Sequence, residues 1–139
     1  MGIHLPAQAR EAILAHAISC LPNEACGLIA TDGASIRMIY SLDNADRSPS
    51  TFTVEPAQHF GALLHAERHG WEIGGIFHSH PSGPAVPSRS DRSQPHDTSW
   101  IHVVVGFVPR PHVRAWRFLH GDAVEVPIDQ SLAAAAEDL

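Results

Sequence analysis

Two spacings of apolar residues alternate along the chain, and they predict helices and strands in a mixed order. In residues 6–20 and again in residues 56–69, apolar side chains recur at every third or fourth position, as they do on one side of an α-helix. Pro6 and Pro56 suit a first helical turn, and Gly70 suits the end of the second helix. We therefore predict two helices with these bounds.

Shorter apolar runs rich in Val, Ile and Phe are typical of β-strands. They are residues 26–31, 35–40, 51–54, 72–80, 101–108, 113–119 and 123–126. The Asp32-Gly33 pair joins the first two runs and predicts a β-hairpin. Residues 41–50 and 81–100 are rich in turn-forming side chains and predict loops, the second long enough to be functional or disordered. The order of elements predicts an α/β fold in which helices flank a mixed β-sheet.

Length and charge narrow the class of protein. A chain of 139 residues is expected to form one domain, which we place at residues 1–129, before an Ala-rich acidic tail at residues 130–139. The formal net charge of −6 argues against nucleic acid as a partner, because binding to phosphates needs a basic surface. No apolar run reaches the length of a membrane span, and the N-terminus lacks a signal-peptide pattern. We therefore expect a cytoplasmic protein with no membrane partner. Cys20 and Cys26 could form a disulfide, but buried free thiols fit that compartment better.

His78 and His80 give the strongest indication of chemistry. Residues i and i+2 of a strand point to the same face, so the two imidazoles are expected to lie side by side. The loop that follows can bring Asp91 to them. Two histidines and one carboxylate leave a fourth tetrahedral position for water, as in catalytic zinc sites. A structural zinc site is normally closed by cysteine ligands, and no cysteine lies near this run. The pattern predicts one zinc ion per chain.

Glu24 is the candidate proton acceptor for a metal-bound water. It lies just before the apolar run 26–31, where a carboxylate is either exposed to solvent or functional, and the sequence leaves both alternatives open. Ser88, taken by itself, suits a helix or turn cap. His65 and His69 lie at i, i+4 in the second predicted helix. No Glu stands where a helical zinc-protease motif requires it, so we predict a solvated helix face there.

Taken together, these residues resemble the signature of the JAMM (MPN+) metallopeptidase family. The signature is an upstream Glu, then His-Ser-His, seven residues, a Ser, two residues and an Asp. This chain matches it with Glu24, His78, Ser79, His80, Ser88 and Asp91. Segments 24–28 and 44–49 are also similar to the family, and the likeness covers about residues 5–127. Pro95 is a departure, because many relatives have a helix at this point.

The resemblance implies a cytidine-deaminase-like α/β/α fold and hydrolysis of a peptide or isopeptide bond. The bond implied follows the C-terminal Gly-Gly of a ubiquitin-like or sulfur-carrier protein. By the same resemblance, His78, His80 and Asp91 hold a zinc ion that polarises the scissile carbonyl. Glu24 moves a proton from the bound water to the leaving amine, and Ser88 donates a hydrogen bond to the oxyanion. The chain looks most similar to short bacterial members, including the type that releases cysteine from a sulfur carrier.

Two other functions stay open at this point. A non-catalytic binding module of the same fold usually lacks the metal ligands, so the complete set argues against it. A metal-dependent hydrolase of a small substrate, such as a deaminase, is disfavoured because the zinc deaminase motif needs a Cys pair that is missing here. The leaving group and the oligomeric state are also open, with a homodimer as one alternative.

Overall fold

The computed structural model describes residues 2–94 and 97–129 of the chain. The predicted tail at residues 130–139 lies outside this part. In the described residues, eight β-strands and three α-helices follow one another in the order β1 (Ile3–His4), α1 (Ala7–Cys20), β2 (Cys26–Asp32), β3 (Ser35–Leu42), α2 (Pro56–Arg68), β4 (Glu72–His80), α3 (Arg89–Ser93), β5 (Ile101–Gly106), β6 (His112–Leu119), β7 (Asp122–Val126) and β8 (Ile128–Asp129).

Both long helices and six of the predicted strands are confirmed. The predicted strand at residues 51–54 is wrong, because only a single bridge joins Val54 to Asn44. Backbone groups that a strand partner would use are taken by the Asn44 side chain instead. The loop predicted at residues 81–100 contains the short helix α3, which has too few residues to show a period.

All eight strands form one mixed sheet, in the order β7-β6-β5-β4-β2-β3-β1-β8. Strand β2 is antiparallel to both of its neighbours, β3 and β4. Strand β4 is parallel to β5, and a parallel pair needs a crossover connection rather than a tight turn. Residues 81–100 are this crossover, and they leave the sheet at the carboxyl end of β4.

The two long helices pack on opposite faces of the sheet. Tyr40 and Ile76 share one face through a common partner on β2, whereas Phe77 points to the other face. His16 of α1 meets Phe77 edge-on, with 6.1 Å between ring centroids. His65 of α2 lies on the face of Tyr40, with 2.7 Å between its Nδ1 and the phenol oxygen. This arrangement confirms the predicted α/β fold with a mixed sheet between helices. The sequence predicted that His65 lies on a solvated face of its helix, whereas in the structure His65 is half-buried.

The main core lies between α1 and the sheet. Its fully buried members include Leu5, Ile13, Ala17, Ile29, Phe77, Val103 and Val105. A smaller cluster on the opposite face consists of Ala85, Val104 and Trp116, and the Trp116 indole donates a hydrogen bond of 3.0 Å to the Ala85 carbonyl. This cluster anchors the start of the crossover to the sheet. Among the described residues, no helix is long and apolar enough to cross a membrane.

Gly27 is expected to be essential for packing at the centre of the sheet. A Cβ at this position would collide with the Tyr40 carbonyl oxygen and the Phe77 ring. Both neighbours are held by strand pairing, so we expect Gly27→Ala to lower the free energy of unfolding by about 3 kcal/mol, the upper part of the range for overpacking. Gly61→Ala is the matched control, since a Cβ in that part of α2 meets nothing within 4 Å. Gly61→Ala should stabilise the protein by about 0.5–1 kcal/mol. Urea unfolding of both variants tests this, and equal effects would contradict it.

Candidate metal centre

The structure brings His78, His80 and Asp91 together at the carboxyl end of β4. The Nε2 atoms of the two histidines are 3.1 Å apart. Asp91 Oδ2 lies 3.1 Å from Nε2 of His78 and 3.2 Å from Nε2 of His80. Three ligand atoms from two separate segments therefore form a nearly equilateral triangle.

This triangle has the dimensions of a zinc site. Zinc ligands at about 2.0–2.1 Å in a tetrahedron are separated from one another by roughly 3.3 Å. The edges of 3.1–3.2 Å formed by His78, His80 and Asp91 are close to one face of such a tetrahedron. Two imidazoles and one carboxylate are also a donor set that zinc prefers. The residues therefore fit the metal, with the fourth position left for water or substrate.

A hydrogen bond to the backbone sets the tautomer of His80. Its Nδ1 lies 3.1 Å from the Pro84 carbonyl oxygen, which can only accept, so Nδ1 carries the hydrogen. Nε2 of a neutral His80 then carries a lone pair that faces the Asp91 carboxylate. Two acceptors at 3.2 Å need a cation between them, either a proton or a metal ion. The chemistry of this edge of the triangle therefore also supports a cation-binding centre.

Helix α3 fixes the position of Asp91 through a reciprocal cap. The Ser88 hydroxyl oxygen accepts a 3.0 Å hydrogen bond from the Asp91 amide, and Asp91 Oδ2 accepts a 2.8 Å bond from the Ser88 amide. This is a capping box, which satisfies two backbone donors at the start of a helix. Ser88 therefore caps a helix, which is the alternative that the sequence left open beside the oxyanion role implied by the resemblance. The hydroxyl acts here as an acceptor, so its own hydrogen stays available for another partner.

Hydrogen bonding controls the charge of the centre when no metal is bound. Burial alone would raise the pKa of Asp91, but hydrogen bonds from His78, His80 and the Ser88 amide hold that pKa well below its usual range. Burial also disfavours the His80 cation, yet hydrogen bonds to Asp91 and Pro84 raise the pKa of His80 above its ordinary value. The triangle therefore favours one positive charge beside the carboxylate, and a metal ion would replace the proton that supplies it.

Glu24 is buried beside this centre, with 5% of its surface exposed. The alternative that it is a solvated surface carboxylate is therefore wrong. Burial raises the pKa of Glu24 to about 7, although the positive charge of His80 opposes the rise. A carboxyl group with a pKa near the working pH can both accept and release a proton, which is what general acid-base catalysis requires.

Glu24, His78 and Asp91 line one cavity of about 660 Å³. One wall of the cavity is the segment 50–53, in which Phe52 stacks on the His78 ring with 4.7 Å between centroids. A second wall of the cavity includes Trp100, His102 and Phe118. Sequence reasoning missed the aromatic side chains of both walls. No periodicity marks them, because they come from distant segments that meet only in the folded chain.

The two cysteines, His69 and Pro95 are the other residues that the sequence analysis singled out. Cys20 and Cys26 are free thiols. Cys26 is buried, and burial raises its pKa to about 12, so it is a core residue with no thiolate at neutral pH. His69 is exposed on α2, where its ring stacks on Trp71. Pro95, the departure noted in the sequence, lies outside the described residues.

All the candidate site residues lie within the part of the chain that one protein-family model matches. A model of the family described as prokaryotic homologs of the JAB domain matches residues 6–119. A desampylase from Haloferax volcanii is 26% identical over 121 residues, which cover 82% of this chain and 87% of that protein. A CysO-cysteine peptidase from Mycobacterium tuberculosis is 29% identical over 124 residues, 86% of this chain and 84% of that protein. The solution structure of a protein from Desulfitobacterium hafniense has a TM-score of 0.78 at 32% identity and covers 93% of this chain and 94% of that chain. The likeness therefore extends from bacterial to archaeal proteins.

We expect the purified protein to bind one zinc ion per chain at this triangle. His80→Ala removes one ligand and should abolish stoichiometric binding, as measured by equilibrium dialysis and elemental analysis. Zinc at 100 times its dissociation constant should also stabilise the native chain by about 2.7 kcal/mol, since it binds the folded state. His69→Ala is the control, because His69 is an exposed histidine of α2. Zinc loss in both variants, or in neither, would contradict the assignment of the site.

Proposed function

Because the chain belongs to the prokaryotic homologues of the JAB domain, we propose that it is a zinc-dependent peptidase. We infer that it hydrolyses the peptide or isopeptide bond after the C-terminal Gly-Gly of a ubiquitin-like or sulfur-carrier protein. One observation carries the proposal: three ligand atoms form a zinc-sized triangle, and two of the residues that supply them, His78 and Asp91, line the same cavity as the buried Glu24. Relatives named desampylase and CysO-cysteine peptidase support this class of substrate.

In the proposed mechanism, His78, His80 and Asp91 hold zinc, which supplies a Lewis acid for the scissile carbonyl. Glu24 accepts a proton from the attacking water and delivers it to the leaving amine. Its burial supports the second step, because desolvation raises the pKa of the carboxyl group and so favours the form that holds the transferred proton. A bound cation nearby favours the ionised carboxylate before the attack.

Ser88 is the proposed donor to the oxyanion. Its oxygen is used by the cap of α3, and its hydroxyl hydrogen remains available to a substrate. The capping box ties Ser88 to Asp91, so the proposed oxyanion donor and the proposed zinc ligand are both positioned by the start of α3. A preorganised donor of this kind is worth roughly 2.7–4 kcal/mol of transition-state stabilisation.

The size of the cavity limits what can reach the zinc. A cavity of about 660 Å³ accommodates a few residues of an extended chain, but not a folded domain. A flexible C-terminal tail meets this limit. We further propose that residues 1–129 form the single catalytic domain and that the enzyme acts in the cytoplasm, where free thiols such as Cys20 and Cys26 persist.

The direct test uses a sulfur-carrier protein extended by one cysteine after its terminal Gly-Gly. We expect the zinc-loaded enzyme to remove the added residue, seen as a mass decrease of the intact carrier, and a chelator to stop the reaction. Glu24→Gln should lower kcat by about 10²- to 10⁴-fold, since the amide cannot accept the proton. It should still bind zinc.

The controls separate the parts of this proposal. Glu67→Gln alters an exposed carboxylate of α2 and should leave kcat unchanged. Cleavage that survives in Glu24→Gln would overturn the role of Glu24 while leaving the metal site in place. If a carrier linked to a lysine side chain is cut and the cysteine-extended carrier is not, the enzyme is an isopeptidase and does not release cysteine.

The role of Ser88 can be separated from its role as a cap. Ser88→Ala removes both the hydroxyl donor and the cap, and we expect kcat to fall by about 10²- to 10³-fold. Ser88→Thr keeps a hydroxyl and a good N-cap residue, so it should recover most of the loss. If Ser88→Ala unfolds at lower urea concentration than the wild type but keeps its kcat, Ser88 is a cap and nothing more.

A further inference from the structure

The side chain of Asn44 makes four hydrogen bonds to backbone groups, three within its own loop and one to the segment that carries Glu24. Its Nδ2 donates to the carbonyl oxygens of Glu24 at 3.1 Å and Thr51 at 2.9 Å. Its Oδ1 accepts from the amides of Asp46 at 2.9 Å and Thr53 at 3.1 Å. The carboxamide therefore connects the segment that carries Glu24 with both ends of the segment 46–53.

These bonds converge on the two parts of the cavity that a substrate must contact. The amide of Glu24 donates a 2.9 Å hydrogen bond to the Ser48 carbonyl, inside the loop that Asn44 closes. Thr51 and Thr53 flank Phe52, which stacks on the ring of His78. Thus the backbone of the proton carrier, and the wall that covers one zinc ligand, are both held by Asn44.

The structure assigns to Asn44 the role of a positioning residue for Glu24, and this assignment rests on the proposed function above. Glu24 lies before the first residue of β2, so strand pairing begins only after it. On its C-terminal side, Ala25 is tied to Ser79 of β4. The Glu24 carbonyl accepts a hydrogen bond from the Asn44 side chain, and the Glu24 amide donates one to the Ser48 carbonyl. Without Asn44, the loop that holds both groups loses its central connection.

Displacement of Glu24 should affect the chemical step more than binding. The carboxyl group must reach the attacking water first and the leaving amine afterwards, and a misplacement of about 1 Å in an active site can cost 10²-fold in rate. Asn44 contacts neither the zinc ligands nor the Glu24 side chain in any of its four hydrogen bonds. We therefore expect Asn44→Ala to lower kcat by about 10- to 100-fold, to change KM by less than about threefold and to keep the zinc stoichiometry.

Gln58→Ala is the matched control. Gln58 holds the neighbouring residue of the same loop, accepting a 2.7 Å hydrogen bond from the Asp43 amide and donating a 2.8 Å bond to its carboxylate. It has no bond to the Glu24 segment. Gln58→Ala should leave kcat within about twofold of the wild type. An equal loss in both variants would mean that the loop merely needs to be closed, and would overturn the assignment.

A double-mutant cycle tests whether Asn44 acts through Glu24. If it does, Asn44→Ala should change the residual single-turnover rate of Glu24→Gln by less than about twofold, because the group to be positioned is already missing. A structural role would lower the rate of both backgrounds by the same factor. A full multiplicative loss in the double variant would therefore overturn the proposal.

Hydrogen exchange of the zinc-loaded protein tests the assignment without a substrate. In Asn44→Ala, exchange at the amides of Glu24 and Thr53 should accelerate at least about tenfold, and exchange at Ile29 in the core should not change. Gln58→Ala should leave Glu24 protected. Unchanged protection of Glu24 in Asn44→Ala would overturn the positioning role. If the wild type cleaves no carrier while Glu24 loses protection as expected, the failure belongs to the proposed function alone.

Discussion

The antiparallel pairing of β2 with β4 is the constraint on which the site depends. It places Cys26 opposite His78, so the residues just before β2 lie at the end of β4 where the histidines emerge. Ser79 extends the pairing by one step, because its hydroxyl accepts from the Ala25 amide at 2.7 Å and its own amide donates to the Ala25 carbonyl at 3.1 Å. A slip of one residue would turn His78 to the opposite face and separate it from Asp91. One register therefore decides whether Glu24 and the proposed ligand His78 line the same cavity.

The parallel pairing of β4 with β5 supplies the remaining part. Because parallel neighbours cannot be joined by a tight turn, the chain must leave the sheet after His80 and return at Ile101. The first part of this crossover is attached to the sheet by the hydrogen bond from the Trp116 indole to the Ala85 carbonyl. The chain then forms the capped helix α3, which carries Asp91. Gly106 allows the close approach, since a Cβ there would collide with the backbone of Ala85. A connection that the topology requires thus also brings the third proposed ligand, Asp91, to the two histidines.

Periodic elements and fixed spacings could be predicted from the sequence, and contacts between distant segments could not. The bounds of α1, α2 and β4 follow from apolar periodicity and from Pro or Gly at their ends. The strand predicted at residues 51–54 is wrong. Its β-branched side chains favour a strand, but the Asn44 side chain binds the backbone groups that strand pairing would use. Strands β1 and β8 have two residues each, too few for any pattern, and they pair with each other from opposite ends of the described chain.

The same division holds within the site. Glu24, His78, His80, Ser88 and Asp91 could be proposed as site residues because their types and spacings resemble one family signature. Their burial and hydrogen bonds required coordinates, as did the pKa of about 7 at Glu24. The aromatic wall made by Trp100 and Phe118 leaves no local signal, since each residue reads as an ordinary member of its own segment.

A single oxygen atom, Asp91 Oδ2, couples the proposed metal centre to the cap of α3. That atom closes the cap of α3 through the Ser88 amide and faces both imidazoles, so the carboxylate cannot swing outward without opening the helix. Edges of 3.1–3.2 Å suit an ion with metal–ligand bonds of about 2.0 Å. A calcium ion, which takes bonds of about 2.3–2.6 Å to six or more oxygens, would have to push the three donors apart. Spreading the three donors for such an ion would therefore also disturb the cap of the five-residue helix.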